Sequence, residues 1–231
     1  LEIVLLVQDA ALWQDNPAWH PDQKDAVEVL YGCPTEAAPL CSANIGEARA
    51  AVILADPRYG ELADPRSTLV TIAIERQNPQ VHTVMELLSS VSRVHVRTTE
   101  VNEVICIGDI TEKLLAQSCI TPGVGHIFQH LLSGDPCTEQ LQVAKLPQAI
   151  PPNATFRSLA RQAISCCAPF VLCGYIIDPD AHPDTKTRIC VLNPRSGVEP
   201  GKNPRLAPGD ALIVLGRQRP ALEKYLLSNK R

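Results

Sequence analysis

Aromatic side chains and methionine are scarce in this sequence of 231 residues. Only 4% of the residues are aromatic and one is methionine, whereas 45% are hydrophobic in all. A folded core must therefore be mainly aliphatic, and the length suffices for one large domain or two small ones. No run of eighteen apolar residues occurs, so we expect no membrane-spanning helix. The opening LEIVLLVQD is too short and too acidic at its end for a signal peptide.

An excess of basic residues is also missing. The 21 lysines and arginines stand against 25 aspartates and glutamates, which gives a net charge of −4. Broad nucleic-acid surfaces need a positive excess, so the composition argues against nucleic acid as a partner.

Familiar catalytic and metal-binding signatures are absent as well. The sequence contains no G-x-S-x-G turn, no H-E-x-x-H helix and no C-x-x-C pair. The nine cysteines are irregularly spaced, and most stand in apolar runs such as those around Cys106 and Cys173. We therefore expect free, buried thiols in a reducing cytoplasm, and neither disulfides nor a zinc site.

Five runs rich in valine, isoleucine and leucine alternate with helical patterns in the first half. They are LEIVLLVQD, AVEVLYGCP, ARAAVILAD, VHTVMELL and VNEVICIGD. Such runs are typical of buried parallel strands, and their alternation with helices predicts a doubly wound, Rossmann-like α/β layer. The pattern also predicts two helix N-caps, at Thr35 and at Asp64, with Pro65 at the first helical position of the second helix.

A long apolar helix is predicted from Ile110 to Leu132. Thr121-Pro122-Gly123 interrupts it, and proline and glycine inside a helical pattern indicate a kink or a break. Gly134 fits the usual stop signal at the end of a helix.

The pattern of apolar runs changes from about Glu139. Shorter strand patterns, separated by prolines and glycines, indicate a small α+β unit with antiparallel pairs. We place the domain boundary at residues 134–139. Residues 1–134, including a crossover helix at 109–133, then form one domain and residues 135–231 the other.

The glycine-rich turn of a dinucleotide-binding sheet is missing. G-x-G-x-x-G should follow a strand and open a helix, so that backbone N–H groups hold the pyrophosphate. The elements therefore start at what would be the second strand of such a sheet. Asp9, at the end of that strand, is a candidate to bind a ribose hydroxyl, or it simply ends a strand in solvent. Either an upstream segment supplies the first strand, or the nucleotide site is degenerate.

Carboxylates also stand at or near the ends of later strands. Ligands of open α/β sheets collect at the carboxyl ends of strands, so Asp56, Glu86 and Asp109 are candidates for a divalent-cation site, with Glu86 and Asp56 foremost. Carboxylates in this place more often cap the following helix. Asp109, with Glu112 three residues on, fits that capping pattern.

Two pairs of residues are spaced four apart on predicted helices. His126 and His130 share one helix face, where a surface or interface pair is favoured over a zinc site. The pair Arg157 and Arg161 has two interpretations: it holds an anionic ligand, or it lies on a solvated face of its helix. The other histidines are isolated: His20, His82, His95 and His182.

Several stretches together resemble the RCK family (regulator of K⁺ conductance, also called TrkA-type). The family's segment that leads into a strand resembles YGCPTEAAPLCSANIGEARAAVILAD, which ends in the third predicted strand of this chain. The family's next helix resembles ADPRSTLVTIAI, and its next strand resembles VHTVMEL. VNEVICIGDITEKLLAQSCITPGVGHIFQHLLSG resembles the crossover helix of large-conductance calcium-activated potassium channels and of plant nuclear-envelope ion channels. RICVLNP and RLAPGDALIVLGR resemble the end of the family's C-terminal lobe, so the resemblance covers nearly the whole chain.

The resemblance implies a Rossmann-like lobe, a crossover helix that embraces a second copy, and a small α+β C-terminal lobe. It implies a homodimer or a ring of eight, and a membrane pore domain as partner. The dimer interface is expected at Gln117, Cys119, Pro122, Gly123, Ile127, Phe128 and Leu131.

The sequence departs from the family at two places that bear on the ligand. The absent glycine turn disfavours nucleotides, and Leu88 stands where calcium-gated members have a second acid. Ca²⁺ or another divalent cation is the preferred ligand, and its identity stays open.

The function implied by the resemblance is that of a gating domain on the cytoplasmic side of the cell membrane. Binding of a ligand or ion there would be coupled to the opening of a potassium or cation channel, and we expect no enzymatic activity. Two alternatives stay open: a diffusible regulatory subunit of a potassium-uptake transporter, and a truncated NAD-dependent oxidoreductase.

Overall fold

The computed structural model describes residues 3–9, 27–96, 99–133, 135, 137–151, 153–178, 189–194, 205–217 and 222–226. By its internal contacts the chain divides into two compact units, Leu1–Ile120 and Thr121–Arg231. The predicted domain limits, at residues 134 and 135, stay a prediction.

Five parallel strands form the framework of the first unit. All five predicted strands are present, in two sheets whose orders are β1-β2 and β3-β4-β5. Their bounds are β1 Ile3–Val7, β2 Val27–Tyr31, β3 Ala50–Ile53, β4 His82–Leu87 and β5 Glu103–Cys106.

Helices follow β2, β3, β4 and β5, as the alternating pattern predicts. They are α1 Ala37–Ser42, α2 Ala63–Gln77, α3 Arg93–Val96 and α4 Ile107–Ile120. Short 3₁₀ segments precede β3, α2 and α3, at Ile45–Glu47, Pro57–Leu62 and Ser90–Ser92, and Gly60 interrupts the second of them.

The core of the first unit lies between α2 and one face of the β3-β4-β5 sheet. Val70 and Ile74 of the helix belong to one buried cluster with Met85 and Leu87 of β4. Side chains of a strand alternate between faces, and Val52 of β3 is accordingly exposed on the opposite face. Aliphatic residues make up this cluster almost entirely, as the scarcity of aromatic residues predicts.

Both predicted helix caps in this unit are wrong. Helix α1 begins after Glu36, which makes no side-chain cap, while Thr35 forms a hydrogen bond with Cys33 instead. Helix α2 begins at Ala63, so Asp64 lies inside its first turn. The carboxylate of Asp64 accepts hydrogen bonds from the backbone after β4, a tertiary contact that a local capping pattern does not reveal.

The predicted break in the long helix is present. Helix α4 ends at Ile120, and Gly123 has φ 95°, a left-handed conformation that glycine adopts without strain. A separate helix, α5, runs over Val124–Leu131 and ends before Gly134, which lies outside the described residues.

In the described residues, the second unit contains an antiparallel sheet, as the sequence predicts, and two helices besides α5. The strand order is β6-β9-β7-β8. The strands are β6 Gln140–Lys145, β7 Val171–Ile177, β8 Ile189–Leu192 and β9 Ala211–Gly216, and the helices are α6 Phe156–Ser165 and α7 Leu222–Leu226.

Helix α6 packs on one face of this sheet. Its Leu159 and Phe156 join Tyr175, Leu212 and Val214 in the core of the second unit. Thr155 and Ser158 form a reciprocal capping box at the start of the helix, which satisfies backbone N–H groups there.

Asp210 connects three segments of the second unit. The side chain is fully buried and accepts the backbone N–H of Asp178 at 3.0 Å and of Ala207 at 2.8 Å. Its backbone carbonyl accepts the N–H of Leu146 at 2.8 Å. The ends of β6 and β7 are thereby fixed beside the turn before β9, where Gly209 has a positive φ.

The cysteines are free, as predicted, but most are not buried. Cys106 alone of the nine is buried, and six are exposed. The expectation failed because several apolar segments are covered on one face only. Cys119 lies on α4, which buries no residue, and Cys190 lies on β8, at the end of its sheet.

Candidate functional site

The four predicted ligand-binding carboxylates all lie at or near the carboxyl ends of the parallel strands. Asp9 follows β1, Asp56 follows β3, Glu86 lies near the end of β4, and Asp109 lies in the first turn of α4, directly after β5. Strand direction alone gives this placement, because parallel strands end at the same edge. Side-chain contacts then divide the four carboxylates among different partners.

Asp56 is engaged by Arg58. The Asp56 carboxylate accepts the backbone N–H of Arg58 at 3.0 Å and the guanidinium Nε at 2.9 Å. Nη2 of Arg58 donates to the second carboxylate oxygen, so the guanidinium contact is bidentate and charge-assisted, and hydrogen bonding from the Arg58 side chain lowers the pKa of Asp56. The pKa of Arg58 is raised, chiefly by Asp56, and the negative charge of Asp9 contributes. Asp9 and Asp56 thus act on one guanidinium.

Glu86 is held by the backbone that leads to Asp56. Its Oε2 accepts the N–H of Ala55 at 2.9 Å, so a side chain from β4 fixes the residue two positions after β3. Asp109 has a different partner, since its Oδ2 lies 3.7 Å from Nη2 of Arg93 in α3.

These contacts do not assemble a cation site in the described part of the chain. Hard cations require several oxygen ligands around one point. No group of three or more His, Cys, Asp or Glu side chains with suitable geometry occurs among the described residues. The preference for a divalent cation therefore finds no support.

A polar cluster that the sequence did not reveal lies at the ends of β1 and β3. Arg66, in the first turns of α2, bonds to Oε1 of Gln8, and its guanidinium carbon lies 4.6 Å from the ring centre of Tyr59. The Tyr59 hydroxyl donates to the same oxygen of Gln8 at 3.4 Å. We call Gln8, Tyr59 and Arg66 the strand-end cluster. Nothing in the spacing of these three residues marked them, because three separate segments supply them.

A thiol adjoins the strand-end cluster. Cys33, after β2, lies 3.0 Å from the Thr35 hydroxyl. Hydrogen bonds from Thr35, and a further one from Arg66, lower the pKa of the Cys33 thiol. A guanidinium, a phenol, an amide and a thiol thus stand at the edge where ligands of open α/β sheets bind. Such a set suits an anionic or polar ligand better than a cation.

The paired side chains on the predicted helices are exposed. His130, on α5, lies 3.6 Å from Glu139, which Arg217 also engages at 2.9 Å. His126 lies on the same helix. Among the described residues, no three His, Cys, Asp or Glu side chains are grouped so that they could hold a metal ion. Arg157 and Arg161 lie on the exposed side of α6.

Of the isolated histidines, His82 and His95 lie in the described part of the chain. His82 pairs loosely with Glu103 at 3.7 Å, whereas His20 and His182 lie outside the described residues.

Helices α4 and α5, each considered in its own unit, bury no residue. The predicted interface residues Gln117, Cys119, Pro122, Gly123, Ile127 and Phe128 are all exposed, and Leu131 is half-buried. Large apolar side chains are exposed along both helices: Ile107, Ile110, Leu115 and Ile120 on α4, and Ile127 and Phe128 on α5. None of the helices in the described residues is long and apolar enough to cross a membrane.

Comparison with solved structures identifies the fold. The structure of the human SLO3 gating ring matches 100% of this chain with a TM-score of 0.68 at 14% identity, and this chain spans 42% of that protein. The GsuK RCK domain matches 93% of this chain at 16% identity, with a TM-score of 0.38 and 44% of that chain covered. The GsuK channel bound to NAD matches 97% at 17% identity, with a TM-score of 0.38 and 38% covered.

No protein-family profile and no curated protein matches the chain by sequence. At 14% identity the likeness to the gating ring shows the fold alone. It confirms the predicted α/β architecture over the whole length of the chain.

Proposed function

We propose that this chain, whose fold is RCK-like, is a cytoplasmic regulatory module of a potassium or cation channel. In this role it assembles with further copies of itself through α4 and α5, and ligand binding at the strand ends is coupled to the pore. The observation that carries the proposal is the absence of any buried residue on either helix.

An apolar helix face that is exposed in one copy of the chain is expected to be buried against another protein surface. On α5 the residues Val124, Ile127, Phe128 and Leu131 follow the i, i+3, i+4, i+7 spacing of a single apolar stripe. Soluble proteins rarely leave such a stripe in water, and contiguous apolar surface marks an interface. A second copy of the chain is the proposed cover, because one of the structures that this fold resembles, matching 100% of this chain, is a gating ring.

Regulation depends on differential binding. A ligand shifts the equilibrium between two assembly geometries only by the difference between its affinities for them. The strand-end cluster and Cys33 are the proposed contacts, together with Asp9 and Asp56. A nucleotide is retained as a ligand class, since these groups include cationic and polar donors.

The assembly is tested by sedimentation velocity at several concentrations. We expect the wild-type chain to form dimers or larger rings, and Ile127→Glu together with Phe128→Glu to give monomers because both place charge on the stripe. Gln129→Glu, on the polar side of the same helix, is the matched control and should assemble like the wild type. A wild-type chain that stays monomeric at all concentrations would overturn the proposal.

The ligand is tested by a thermal-shift screen of calcium, magnesium, zinc, NAD, ATP and ADP. Binding to the folded state stabilises it by mass action, by about 2.7 kcal/mol when the ligand concentration is a hundred times Kd, and so raises the melting temperature. Arg66→Gln should abolish the shift and Arg157→Gln should not. Turnover of a nicotinamide substrate would contradict a purely regulatory role.

A further inference from the structure

The turn that follows α4 and precedes α5 has the geometry of a type II β-turn. The backbone N–H of Val124 donates to the carbonyl of Thr121 at 3.3 Å and closes the turn. Gly123 has φ 95° and ψ −14°, the left-handed conformation that the third position requires. Pro122 occupies the second position, where its fixed φ favours this turn. The residues of the turn therefore determine its conformation.

The hydroxyl-bearing residue of this turn directly precedes a proline. Among the 20 prolines of the sequence, Pro122 is the one that follows a serine or threonine. Thr121 and Pro122 are both exposed, and the residue before a proline is biased toward extended backbone. Protein kinases bind their substrates as exposed, extended segments. Kinases of the proline-directed class select a proline after the hydroxyl residue, because their substrate groove has no acceptor for a backbone N–H there. Thr121 thus has the local features of their substrates.

Helix α5 begins without a side-chain cap. Its N-cap residue is Gly123, and no side-chain hydrogen bond caps the helix in the described part of the chain. The N–H of Ile127 donates to the carbonyl of Gly123 at 3.1 Å, so the N–H groups of residues 124–126 precede the first bond within the helix. Aligned peptide dipoles make this end of a helix positive, which favours an anion beside it. A phosphate on Thr121, two residues before the cap, would supply that anion.

The stretch around the turn is apolar and carries no lysine, arginine, aspartate or glutamate. The last such residue before it is Lys113 and the next is Asp135. Ile120 and Ile127, which stand before and after the turn, are 77% and 58% exposed. A phosphate has about two negative charges at neutral pH, so on Thr121 it would dominate the charge of this surface. Burial of that phosphate would remove its water, and no cationic side chain of the same stretch would compensate.

We propose that Thr121 is a phosphorylation site for a proline-directed protein kinase, and that its phosphate opposes self-assembly through α4 and α5. The second part rests on the proposed function, whereas the first does not. In the transfer, Oγ of Thr121 attacks the γ-phosphorus of ATP and forms a new P–O bond. The bond from that phosphorus to the β–γ bridging oxygen breaks, ADP leaves with the electron pair, and a base of the kinase takes the hydroxyl proton.

Two effects of the phosphate favour the free copy of the chain. In the free copy the phosphate accepts N–H groups at the start of α5 and stabilises that helix. In an assembly it lies against apolar side chains such as Ile120 and Ile127, where the loss of its water is not compensated. The kinase acts on the free copy, in which Thr121 is exposed, so phosphorylated chains accumulate in the separated state.

Phosphate incorporation tests the site itself. The folded 231-residue protein is incubated with a mitogen-activated protein kinase and MgATP, and peptide fragmentation in the mass spectrometer locates the phosphate. We expect phosphorylation at Thr121. Phosphate elsewhere only, or none at all, would overturn the proposal.

Three variants identify what the kinase recognises. Pro122→Ala keeps the hydroxyl but should slow incorporation about tenfold, because the alanine N–H has no acceptor in the kinase. Thr121→Ser should be phosphorylated like the wild type. Thr111→Val removes another exposed hydroxyl, on α4, and should leave incorporation unchanged. Equal rates in Pro122→Ala and the wild type would contradict recognition by the proline-directed class.

Sedimentation velocity tests the effect on assembly. Phosphorylated protein is separated by anion exchange and compared with the unphosphorylated protein over a range of concentrations. We expect the dissociation constant for self-association to rise about tenfold on phosphorylation and to return after phosphatase treatment. If the unphosphorylated protein assembles and the phosphorylated protein assembles equally well, this proposal fails and the proposed function stands. An unphosphorylated protein that stays monomeric overturns the proposed function.

Hydrogen exchange at a concentration where the protein is monomeric tests the contact with α5 independently of assembly. We expect the N–H groups of residues 124–126 to exchange about threefold more slowly after phosphorylation, because the phosphate accepts them. Residues 157–159, at the start of α6, already have a capping box and should keep their rates. Unchanged exchange in residues 124–126 would overturn the proposed contact between the phosphate and the helix.

Discussion

The carboxylate of Asp64 accepts the backbone N–H of Leu88 at 2.8 Å, and its second oxygen accepts the N–H of Ser89 at 3.1 Å. Asp64 lies in the first turn of α2 and is 5% exposed. The contact joins the start of that helix to the segment that leaves β4. It therefore fixes the strand edge at which the candidate ligand-binding residues stand.

Asp64→Ala should destabilise the first unit. The substitution leaves two partly buried N–H groups without their acceptor, and we expect the free energy of unfolding to fall by about 3 kcal/mol. Asp64→Asn keeps one acceptor oxygen and should cost less. Urea denaturation measures both, with the exposed Glu61→Ala as control. A loss below about 0.5 kcal/mol for Asp64→Ala would show that water replaces the carboxylate.

The positions of the strands could be predicted from the sequence, whereas the contacts of their polar neighbours could not. The apolar run around Met85 is a strand in the structure, and its Met85 and Leu87 lie in the folded core. Asp64 and Thr35 are residue types that commonly cap helices. Each nevertheless forms a side-chain hydrogen bond with a group outside the helix that it was predicted to cap. A capping pattern does not show which group binds the side-chain oxygen: the backbone after β4 binds that of Asp64, and Cys33, two positions away, binds that of Thr35.

The same limit applies to the candidate site. Asp56 and Asp109 follow strands, as predicted, but an arginine engages each of them. Which arginine lies within reach depends on the path of the connecting loops. Arg66 and Tyr59 were not predicted for the same reason, since their contact with Gln8 joins residues more than fifty positions apart.

Gly174→Ala should disrupt the sheet of the second unit. A Cβ at this position would lie 2.1 Å from the carbonyl oxygen of Val191 on β8. Backbone must move to relieve that overlap, so we expect a loss of about 3 kcal/mol or more in the free energy of unfolding. Gly46→Ala is the control, because no atom lies within 4 Å of its added Cβ. Equal stability of the two variants, measured in urea, would contradict the close approach of β7 and β8.

Arg58→Gln should raise the pKa of Asp56 toward its ordinary value of 3.8. The Arg58 guanidinium lowers this pKa, so the folded protein binds the proton less tightly than the unfolded chain does. The ion pair therefore stabilises the folded state above about pH 4, and this contribution is lost as the pH falls through the lowered pKa. A carboxyl ¹³C titration by NMR measures the change. Arg76→Gln, at the far end of α2, should leave the Asp56 titration unchanged, and an unchanged titration in Arg58→Gln would refute the pairing.

Thiol reactivity should differ between Cys33 and Cys173. The Thr35 side chain lowers the pKa of Cys33, whereas burial raises that of Cys173. The thiolate is the reactive form, so iodoacetamide at pH 8 should alkylate Cys33 roughly tenfold faster, as measured by peptide mass spectrometry. Thr35→Val removes the hydroxyl and should slow the reaction at Cys33, while Thr35→Ser should restore it. If Thr35→Val reacts at the wild-type rate, then the hydroxyl does not stabilise the thiolate, and the backbone N–H of Thr35 and the side chain of Arg66 remain as sources of its lowered pKa.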